Sequence, residues 1–394
     1  MSTAAVAPVM DLAQWVEGTE HQRRDFALRL RRVCHEIGFF QLVNHEIDED
    51  FMRKVTGMTR AIFKLPTEVK QSIAKEKSPQ FRGWEALGTE RTNGRVDFRE
   101  QVDTWSDCEP VSEDPEHPDY YQLYGPSQYF SDDVLPGYKA LTREWMERCR
   151  RTGDILLTAM AAALELPEDH FVNMFGPLDR RMNLTKFIHY PGSKTGQHGV
   201  NAHKDTAFVT LLYPQGPGLE IQQQNTGKWL PVETVPGAFV VNLGEMLQSI
   251  TGQYFVATPH RVRTTRERYA CAYFHGAHLD LDLRTQLPLA KHFLDAVSAS
   301  DFHRNAKFMA LKEETDAGVD DMGSSHVPKT FGEQLWNYFT RAYPGIVAKH
   351  YGGAAGGGSA ADAAGAKRQQ VLDVVEGGDA RHGSGHAGGR RARL

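Results

Sequence analysis

The chain contains 394 residues, of which 40% are hydrophobic and 24% are charged, so it can bury a sizeable core and is not composed like a disordered protein. Its formal net charge of −5 excludes a global basic field of the kind that binds nucleic acid. The four cysteines form no CxxC pair, and no apolar run approaches the length of a membrane span, so a cytoplasmic monomer with free thiols and no membrane contact is expected.

The first 63 residues predict two strands and two helices in alternation. Residues 8–12 form a short apolar segment suited to an edge strand, and residues 20–34 carry apolar side chains at helical spacing. Residues 38–43 predict a buried strand, and a second helix is expected over 48–63. Residues 64–134 are rich in Pro, Gly, Asp and Ser, so we expect long loops that act as lids or substrate walls.

The middle of the chain predicts one long helix followed by many short strands. The helix begins near Pro136 and ends at Pro167, where proline stops it. Many short strands divided by turn residues indicate a barrel or a two-sheet sandwich. The expected strands are 184–190, 207–213, 219–223, 238–243 and 269–274.

The last part of the chain predicts helices at 302–311 and 331–339. From Gly352 onward the sequence consists largely of Gly, Ala, Ser and Arg without apolar periodicity, so disorder is expected there. The predicted regions are an N-terminal region (1–135), a framework helix and linker (136–182), a strand-rich core with C-terminal helices (183–351) and a tail (352–394).

Three His-x-Asp triplets occur, and their surroundings distinguish them. The triplet at 117–119 lies in a polar, Pro-rich segment, and the triplet at 278–280 follows the last core strand without a distal partner. The triplet at 203–205 precedes an apolar segment that predicts a rigid strand. Because residues i and i+2 of a strand project from the same side, His203 and Asp205 are candidate ligands of one metal ion.

A third ligand and an anion-binding residue follow later in the chain. An iron(II) site that activates oxygen needs two imidazoles and one carboxylate on one face, with the opposite face open for co-substrate and O2. His260 is the candidate third ligand, and Arg268 comes eight residues after it. Arg268 is either a solvated strand end or a fork of donors for the far carboxylate of a metal-chelated 2-oxo acid.

These residues resemble the isopenicillin N synthase-like family of 2-oxoglutarate/iron(II) dioxygenases. The likeness covers about residues 5–350 and includes segments 38–45 and 219–262. It implies a mainly β fold with α, namely a double-stranded β-helix (jelly roll) core flanked by N-terminal and C-terminal helices. It also implies Fe(II) as the cofactor, with 2-oxoglutarate and O2 as co-substrates.

The expected 2-oxoglutarate pocket includes Arg268 and one face of the strand 184–190. On that strand Lys186 and Tyr190 alternate onto the same face, so both are expected to contribute to the pocket wall. Most relatives have Ser two residues after the arginine, whereas this chain has Ala270. A closer resemblance, to microbial ethylene-forming enzymes, includes this alanine.

The resemblance to ethylene-forming enzymes extends to residues around the substrate. It implies that Glu90 and Thr92 contact a substrate such as L-arginine and that Arg341 binds its carboxylate. Thr206 stands where the ethylene formers have a tyrosine that helps to hold arginine, and Phe274 is expected to contribute apolar surface. The alternative is that Glu90 and Thr92 brace a lid loop and that Arg341 pairs with a nearby acid.

The expected function couples oxidative decarboxylation of 2-oxoglutarate to hydroxylation or desaturation of a small molecule, such as an amino acid or a secondary metabolite. Asp205 disfavours halogenation, which needs a vacant ligand position. Four alternatives remain open. They are ethylene formation from 2-oxoglutarate with L-arginine, a 2-oxoglutarate-independent oxidase, a zinc hydrolase with the same ligands, and a jelly roll that only binds a sugar or an acid.

Overall fold

The computed structural model describes residues 6–92, 95–111, 114, 116–192, 198–224, 226–284, 286–305 and 328–352. Its contacts divide the chain into two compact units, residues 1–347 and 348–394. The second unit is described only over residues 348–352, which contain the end of the last helix. The disorder expected after Gly352 and most of the helix expected at 302–311 therefore lie outside the described residues.

The first unit contains many short strands. They are, in chain order, β1 (Val9–Asp11), β2 (Phe39–Val43), β3 (Gly83–Glu85), β4 (Arg91–Thr92), β5 (Arg95–Val96), β6 (Glu100–Trp105), β7 (Leu184–Tyr190), β8 (Val200–His203), β9 (Val209–Gln215), β10 (Leu219–Gln222), β11 (Trp229–Pro231), β12 (Phe239–Leu243), β13 (His260–Val262) and β14 (Arg268–His275).

Helices precede and follow the strand-rich part. They are α1 (Ala13–Val16), α2 (Glu20–Glu36), α3 (Glu49–Lys64), α4 (Thr67–Lys70), α5 (Tyr138–Ala163), α6 (His170–Met174), α7 (Glu245–Ile250), α8 (Lys291–Ala299), α9 (Asp301–Asn305), α10 (Phe331–Ala342) and α11 (Pro344–Tyr351). Single 3-10 turns span Gln71–Ile73, Lys75–Lys77, Asp119–Leu123 and Leu178–Arg180. No described helix is both long enough and apolar enough to cross a bilayer.

Two sheets form the core. The larger has the strand order β1-β2-β12-β9-β14-β7-β6-β3, in which only β1 and β2 pair in parallel, and the smaller has the order β11-β10-β13-β8. One buried cluster contains Ile188, Val240 and Ala270 from the larger sheet and Leu219 and Val262 from the smaller. The inner faces of the sheets therefore pack against each other, which confirms the predicted jelly roll.

Helices α3 and α5 cover the outer face of the larger sheet. Along β14 the side chains alternate, so that Ala270 faces the interior of the jelly roll and Cys271 faces the helices. The Cys271 Sγ lies 3.0 Å from the Thr59 Oγ1 on α3. The Trp145 ring on α5 packs at 5.8 Å from the Phe239 ring on β12. The predicted helical flank is therefore present.

Local sequence explains where the long helices begin. Thr19 and Gln22 form a reciprocal capping box at the start of α2. At the start of α3 the Asp48 carboxylate accepts a 2.8 Å hydrogen bond from the Phe51 backbone N–H. Helix α5 begins after Gly137, whose φ of 73° favours glycine. The helices predicted over 20–34, 48–63 and 136–167 are thus confirmed with small shifts at their ends.

The prediction of long loops over 64–134 is wrong for β6. This strand lies in the larger sheet between β3 and β7, and all six of its residues are buried. Its polar side chains are buried with charge partners: the Lys70 Nζ lies 2.7 Å from the Glu100 Oε2, and the Lys75 Nζ lies 2.9 Å from the Asp103 Oδ2. Because hydrophobic alternation is absent, the sequence pattern alone does not distinguish this strand from a polar loop.

Candidate active site

His203 and His260 are brought together by the pairing of two short strands. Strand β8 ends at His203, β13 begins at His260, and the two residues are opposite each other in the antiparallel ladder. Opposite side chains on a sheet are close enough to interact. Their ring centroids are 4.3 Å apart, so the two imidazoles reach the same point.

Asp205 reaches this point from the loop between β8 and β9. The prediction that His203 and Asp205 share a strand face is wrong in this detail, because β8 ends at His203. The loop is held by the Glu245 backbone N–H, which donates to the Asp205 carbonyl at 2.8 Å. At Gly244 a Cβ would lie 2.9 Å from that carbonyl oxygen and 1.8 Å from the Ala207 oxygen. The close approach of the two segments therefore requires glycine.

The three donor groups are spaced as a single metal ion requires. The Asp205 Oδ1 lies 3.5 Å from the His203 Nε2 and 3.7 Å from the His260 Nε2. The three ligand atoms all lie within 4.8 Å of one another. Two donors bound to one ion at about 2.1 Å can be no more than about 4.2 Å apart, so both carboxylate–imidazole distances fit. Two imidazoles and one carboxylate are the donor set of non-haem iron(II) oxygenases.

Backbone carbonyls orient the two imidazoles. The His203 Nδ1 lies 2.9 Å from the Asn201 carbonyl oxygen, and the His260 Nδ1 lies 3.2 Å from the Thr258 carbonyl oxygen. A carbonyl oxygen only accepts hydrogen bonds, so each Nδ1 is the protonated nitrogen. The lone pair of each Nε2 is therefore directed to the point where the three donors meet.

Two side chains orient the Asp205 carboxylate. Its Oδ2 accepts a 2.5 Å hydrogen bond from the Thr210 hydroxyl and a 2.7 Å hydrogen bond from the Asn242 side-chain amide. Such partners fix a ligating carboxylate and tune its affinity for the ion. With Oδ2 occupied in this way, Oδ1 is turned to the two imidazoles.

At His260 and Asp205 the local electrostatics favour the protonation states that metal binding requires. Burial, with the positive charge of His203, lowers the pKa of His260 to about 4. Burial opposes ionisation of Asp205, but His260, His203 and Asn242 hold its pKa well below the ordinary value. Burial also opposes the charged form of His203, yet Asp205 raises the pKa of this imidazole. Any proton held there would be released when a metal ion binds.

Arg268 is a buried cation with unused donors. The residue is 1% exposed, and its Nε donates to the Gly216 carbonyl at 3.2 Å. Neither terminal nitrogen has a hydrogen-bond partner or an ion-pair partner among the described residues, and burial lowers the pKa of Arg268. These facts exclude a solvated strand end. The two terminal nitrogens of Arg268 form a fork of hydrogen-bond donors that fits the carboxylate of a ligand.

The pairing of β14 with β7 connects Arg268 to a cavity. Arg268 is opposite Tyr190, and Ala270 is opposite Ile188. The Tyr190 ring lies 4.9 Å from the guanidinium carbon of Arg268. Tyr190, Ile188 and Ala270 all belong to the apolar cluster between the sheets, and Lys186 follows on the same face of β7. A row of inward side chains thus leads from Arg268 along β7.

The cavity at the end of this row has a volume of about 130 Å³. An engineered cavity of roughly 150 Å³ holds benzene, so this space suits a small molecule. His203 and Asp205 contribute to its wall. The predicted site residues that also line it are Lys186, Glu90, Thr92, Thr206 and Phe274.

Arg341, which was predicted to bind a substrate carboxylate, does not line this cavity. It is exposed in the last turn of α10, whereas Leu335, Tyr338 and Phe339 of the same helix contribute to the cavity wall. The position of Arg341 relative to the cavity depends on which face of α10 is turned to it, and the sequence motif does not show this.

A network of buried charges in the cavity wall was not predicted. Arg99 donates to the Glu90 Oε2 through Nε at 3.0 Å and through Nη2 at 2.5 Å. Lys75 donates to the Asp103 Oδ2 at 2.9 Å. A local sequence pattern does not reveal this network, because the strand that carries Asp103 lacks hydrophobic alternation. Arg99 and Asp103 both line the cavity.

Glu90 and Thr92 already have partners within the protein. Burial opposes the charge of Glu90, but Arg99, Lys186 and nearby Lys75 hold its pKa well below the ordinary value. The Thr92 hydroxyl donates to the Asp97 Oδ2 at 2.6 Å. Both residues therefore brace their own segment, as the alternative interpretation expects, and both also face the cavity.

A jelly roll that brings two histidines and a carboxylate to one point has the donor set of non-haem iron(II) oxygenases. Comparison with known proteins agrees. Residues 7–132 match the model of the N-terminal region of non-haem dioxygenases in morphine synthesis. Residues 179–277 match the model of the 2OG-Fe(II) oxygenase superfamily.

Individual relatives support the same assignment. The chain is 30% identical over 283 residues to the 2-oxoglutarate-dependent dioxygenase frbJ of Dothideomycetidae sp., an alignment that covers 69% of this chain and 74% of the relative. It is 28% identical over 264 residues to a homoarginine-6-hydroxylase of Arabidopsis thaliana, with 65% and 71% covered. A similar fold is found in the crystal structure of a full-length Neurospora crassa protein in complex with alpha-KG and thymine, with a TM-score of 0.61. The two chains are 22% identical, and the match covers 74% of this chain and 93% of that one.

The chain therefore belongs to the 2-oxoglutarate/iron(II)-dependent dioxygenases. It is an oxidoreductase whose cofactor is Fe(II) and whose co-substrates are 2-oxoglutarate and O2. This assignment confirms the predicted family, enzyme class and cofactors.

Proposed function

We propose that the protein hydroxylates a small amino acid in the cavity beside His203 and Asp205. In this proposal His203, Asp205 and His260 hold the iron, and Arg268 binds the far carboxylate of 2-oxoglutarate. The observation that carries the proposal is that two of the three candidate metal ligands, His203 and Asp205, line one small cavity together with side chains of both charges. A substrate held by those charges lies next to the metal.

The positions of the side chains indicate what the protein contributes to the reaction and what the iron contributes. When bound, iron with 2-oxoglutarate and O2 supplies the oxidising chemistry, while the protein binds, orients and keeps water out. Arg268 and Tyr190 fix one end of 2-oxoglutarate, and the apolar side chains of Ile188 and Ala270 lie along the path to the metal site. Thr206, which replaces the tyrosine of ethylene formers, favours hydroxylation over fragmentation of 2-oxoglutarate.

An amino acid is proposed because charges of both signs face the cavity. The carboxylates of Glu90 and Asp103 face the cavity and can attract a positive group, and Lys186 and Lys204 can attract a carboxylate. The relative from Arabidopsis is named as a hydroxylase of homoarginine, a basic amino acid. Both observations favour a zwitterionic substrate over an apolar metabolite.

A cytoplasmic location and a monomeric state complete the proposal. Cys34, Cys108, Cys149 and Cys271 are all free thiols, and three of them are buried. Free thiols are typical of proteins in a reducing compartment. Sedimentation of the purified protein tests the monomer.

The test is succinate formation by the iron-loaded protein with 2-oxoglutarate and a panel of amino acids that includes L-arginine, L-homoarginine and L-lysine. At least one of them is expected to stimulate succinate formation and to gain a hydroxyl group detectable by mass spectrometry. Glu90→Gln should weaken this stimulation, whereas Arg341→Ala, at an exposed site outside the cavity, should retain it. No response to any amino acid would contradict the proposal. Ethylene in the headspace as the main product would show that 2-oxoglutarate is fragmented and that hydroxylation is not the main reaction.

A further inference from the structure

Asp103 occupies a central position in the charge network of the cavity wall. It lies on β6 directly opposite Lys186 on β7, and both residues line the cavity. The Asp103 Oδ2 accepts a hydrogen bond from the Lys75 Nζ at 2.9 Å and lies 3.5 Å from the Lys186 Nζ. One oxygen of this carboxylate is therefore fully used by the protein.

The other oxygen of Asp103 has no partner among the described residues. The Asp103 Oδ1 is buried, and no group in the described part of the chain donates a hydrogen bond to it. A buried acceptor without a donor is costly, and most buried polar atoms in native proteins are paired. A donor carried by a ligand in the adjoining cavity would satisfy this oxygen.

Glu90 differs from Asp103 in this respect. Arg99 approaches the Glu90 Oε2 with two hydrogen bonds, so the charge of Glu90 is already neutralised in a tight pair. Lys186 is paired more loosely, at 3.6 Å from the Glu90 Oε1 and 3.5 Å from the Asp103 Oδ2. A cationic group of a ligand would therefore compete with Lys186 for these carboxylates, rather than with the tightly bound Lys75 or Arg99.

The network also has no excess positive charge that would repel a cation. Its carboxylates, on Glu85, Glu90, Asp97 and Asp103, pair with the cations Lys75, Arg99 and Lys186. The carboxylates are therefore at least as numerous as the cations.

Aromatic side chains form another part of the same wall. Trp105, Tyr338 and Phe339 line the cavity together with Asp103. Aromatic faces attract cations, and this attraction strengthens where water is excluded. An acidic oxygen without a donor beside aromatic rings suits a guanidinium or ammonium group.

We propose that Asp103 is a specificity-determining residue that accepts a hydrogen bond from a cationic nitrogen of the substrate. The site then selects small guanidino or amino compounds over neutral compounds of the same shape. This inference rests on the proposed function, because it assigns the substrate class of the same cavity. It makes Asp103, rather than Glu90, the direct partner of the cation.

The experiment compares cationic probes with matched neutral ones. L-arginine and L-citrulline have nearly the same shape, and agmatine is a guanidino compound without a carboxylate. For the iron-loaded protein with saturating 2-oxoglutarate, the KM for stimulated succinate formation is measured with each probe. Wild type is expected to prefer L-arginine, and Asp103→Asn should reduce the preference over L-citrulline by about tenfold or more, because a hydrogen bond between charged groups is lost.

The matched control is Glu85→Gln. Glu85 is buried in the same network and pairs with Lys75, but it does not line the cavity. This variant removes the same charge from the network and should retain the preference for L-arginine. Both variants should keep the anaerobic absorption band of iron with 2-oxoglutarate. If Asp103→Asn does not fold, the double variant Lys75→Gln/Asp103→Asn removes the charge together with its partner and should show the same loss of preference.

The outcomes separate this inference from the proposed function. Equal stimulation of wild type by L-arginine and L-citrulline would overturn the role of Asp103 while leaving amino-acid hydroxylation intact. An undiminished preference in Asp103→Asn would also overturn it. Stimulation by agmatine but by no amino acid would support the cation site and contradict the amino-acid substrate. No response to any cationic probe would overturn the inference.

Discussion

Replacing His260 by alanine is expected to abolish the visible charge-transfer band that forms when Fe(II) and 2-oxoglutarate are added without oxygen. The band arises because the 2-oxo acid chelates the iron directly, so it requires a metal ion in place. His260 supplies one of three donors, and its Nε2 lies 3.7 Å from the Asp205 Oδ1. His203→Ala should have the same effect. Turnover of 2-oxoglutarate should be lost together with the band.

The control for this experiment is His117→Ala, which removes the histidine of another His-x-Asp triplet. This residue lies outside the group of side chains that meet at Asp205. The control should keep the full band and normal turnover. An undiminished band in both His203→Ala and His260→Ala would mean that the iron is held elsewhere.

Arg268→Lys is expected to raise the KM for 2-oxoglutarate by about 10- to 150-fold, while the KM for the second substrate changes little. Lysine keeps the charge but loses the planar fork, and one charge-assisted hydrogen bond contributes about 1.5–3 kcal/mol. The two terminal nitrogens of Arg268 are buried and have no partner in the described part of the chain, so the lost hydrogen bond is one to the ligand. Steady-state kinetics with each substrate varied in turn measures the change.

Arg266→Lys provides the matched control, since Arg266 is exposed two residues before Arg268. Its KM for 2-oxoglutarate should equal that of wild type. A similar change in both variants would indicate a general effect of replacing arginine near the start of β14 rather than the loss of a specific contact. An unchanged KM in Arg268→Lys would show that the buried fork does not bind the co-substrate.

The fold could be predicted from the sequence where strands are apolar and helices are amphipathic. Strands β7, β10, β12 and β14 lie where the apolar segments indicate, and β9 begins two residues later than expected. Strand β6 could not be predicted, because its buried Glu100 and Asp103 are stabilised by Lys70 and Lys75 from other segments. Such ion pairs depend on tertiary contacts, which a local pattern does not contain.

The candidate metal site could be predicted because its residues recur at a recognisable spacing around apolar strands. The way in which the ligands meet could not be predicted, because β8 contains only four residues and β13 only three. A segment of that length is too short to show side-chain alternation. Arg341 and Asp103 illustrate the same limit at the substrate side, where the orientation of α10 and the pairing of β6 with β7 decide which side chain faces the cavity.

The most direct test of the proposed chemistry is oxygen uptake by the iron-loaded protein with and without 2-oxoglutarate, in the presence of the amino acid that stimulates it best. Oxygen consumption should require 2-oxoglutarate, and succinate should appear in step with it. Oxygen uptake that continues unchanged without 2-oxoglutarate would instead identify an oxidase that does not use this co-substrate. A complete absence of oxygen uptake in both conditions would contradict oxygenase activity in this cavity.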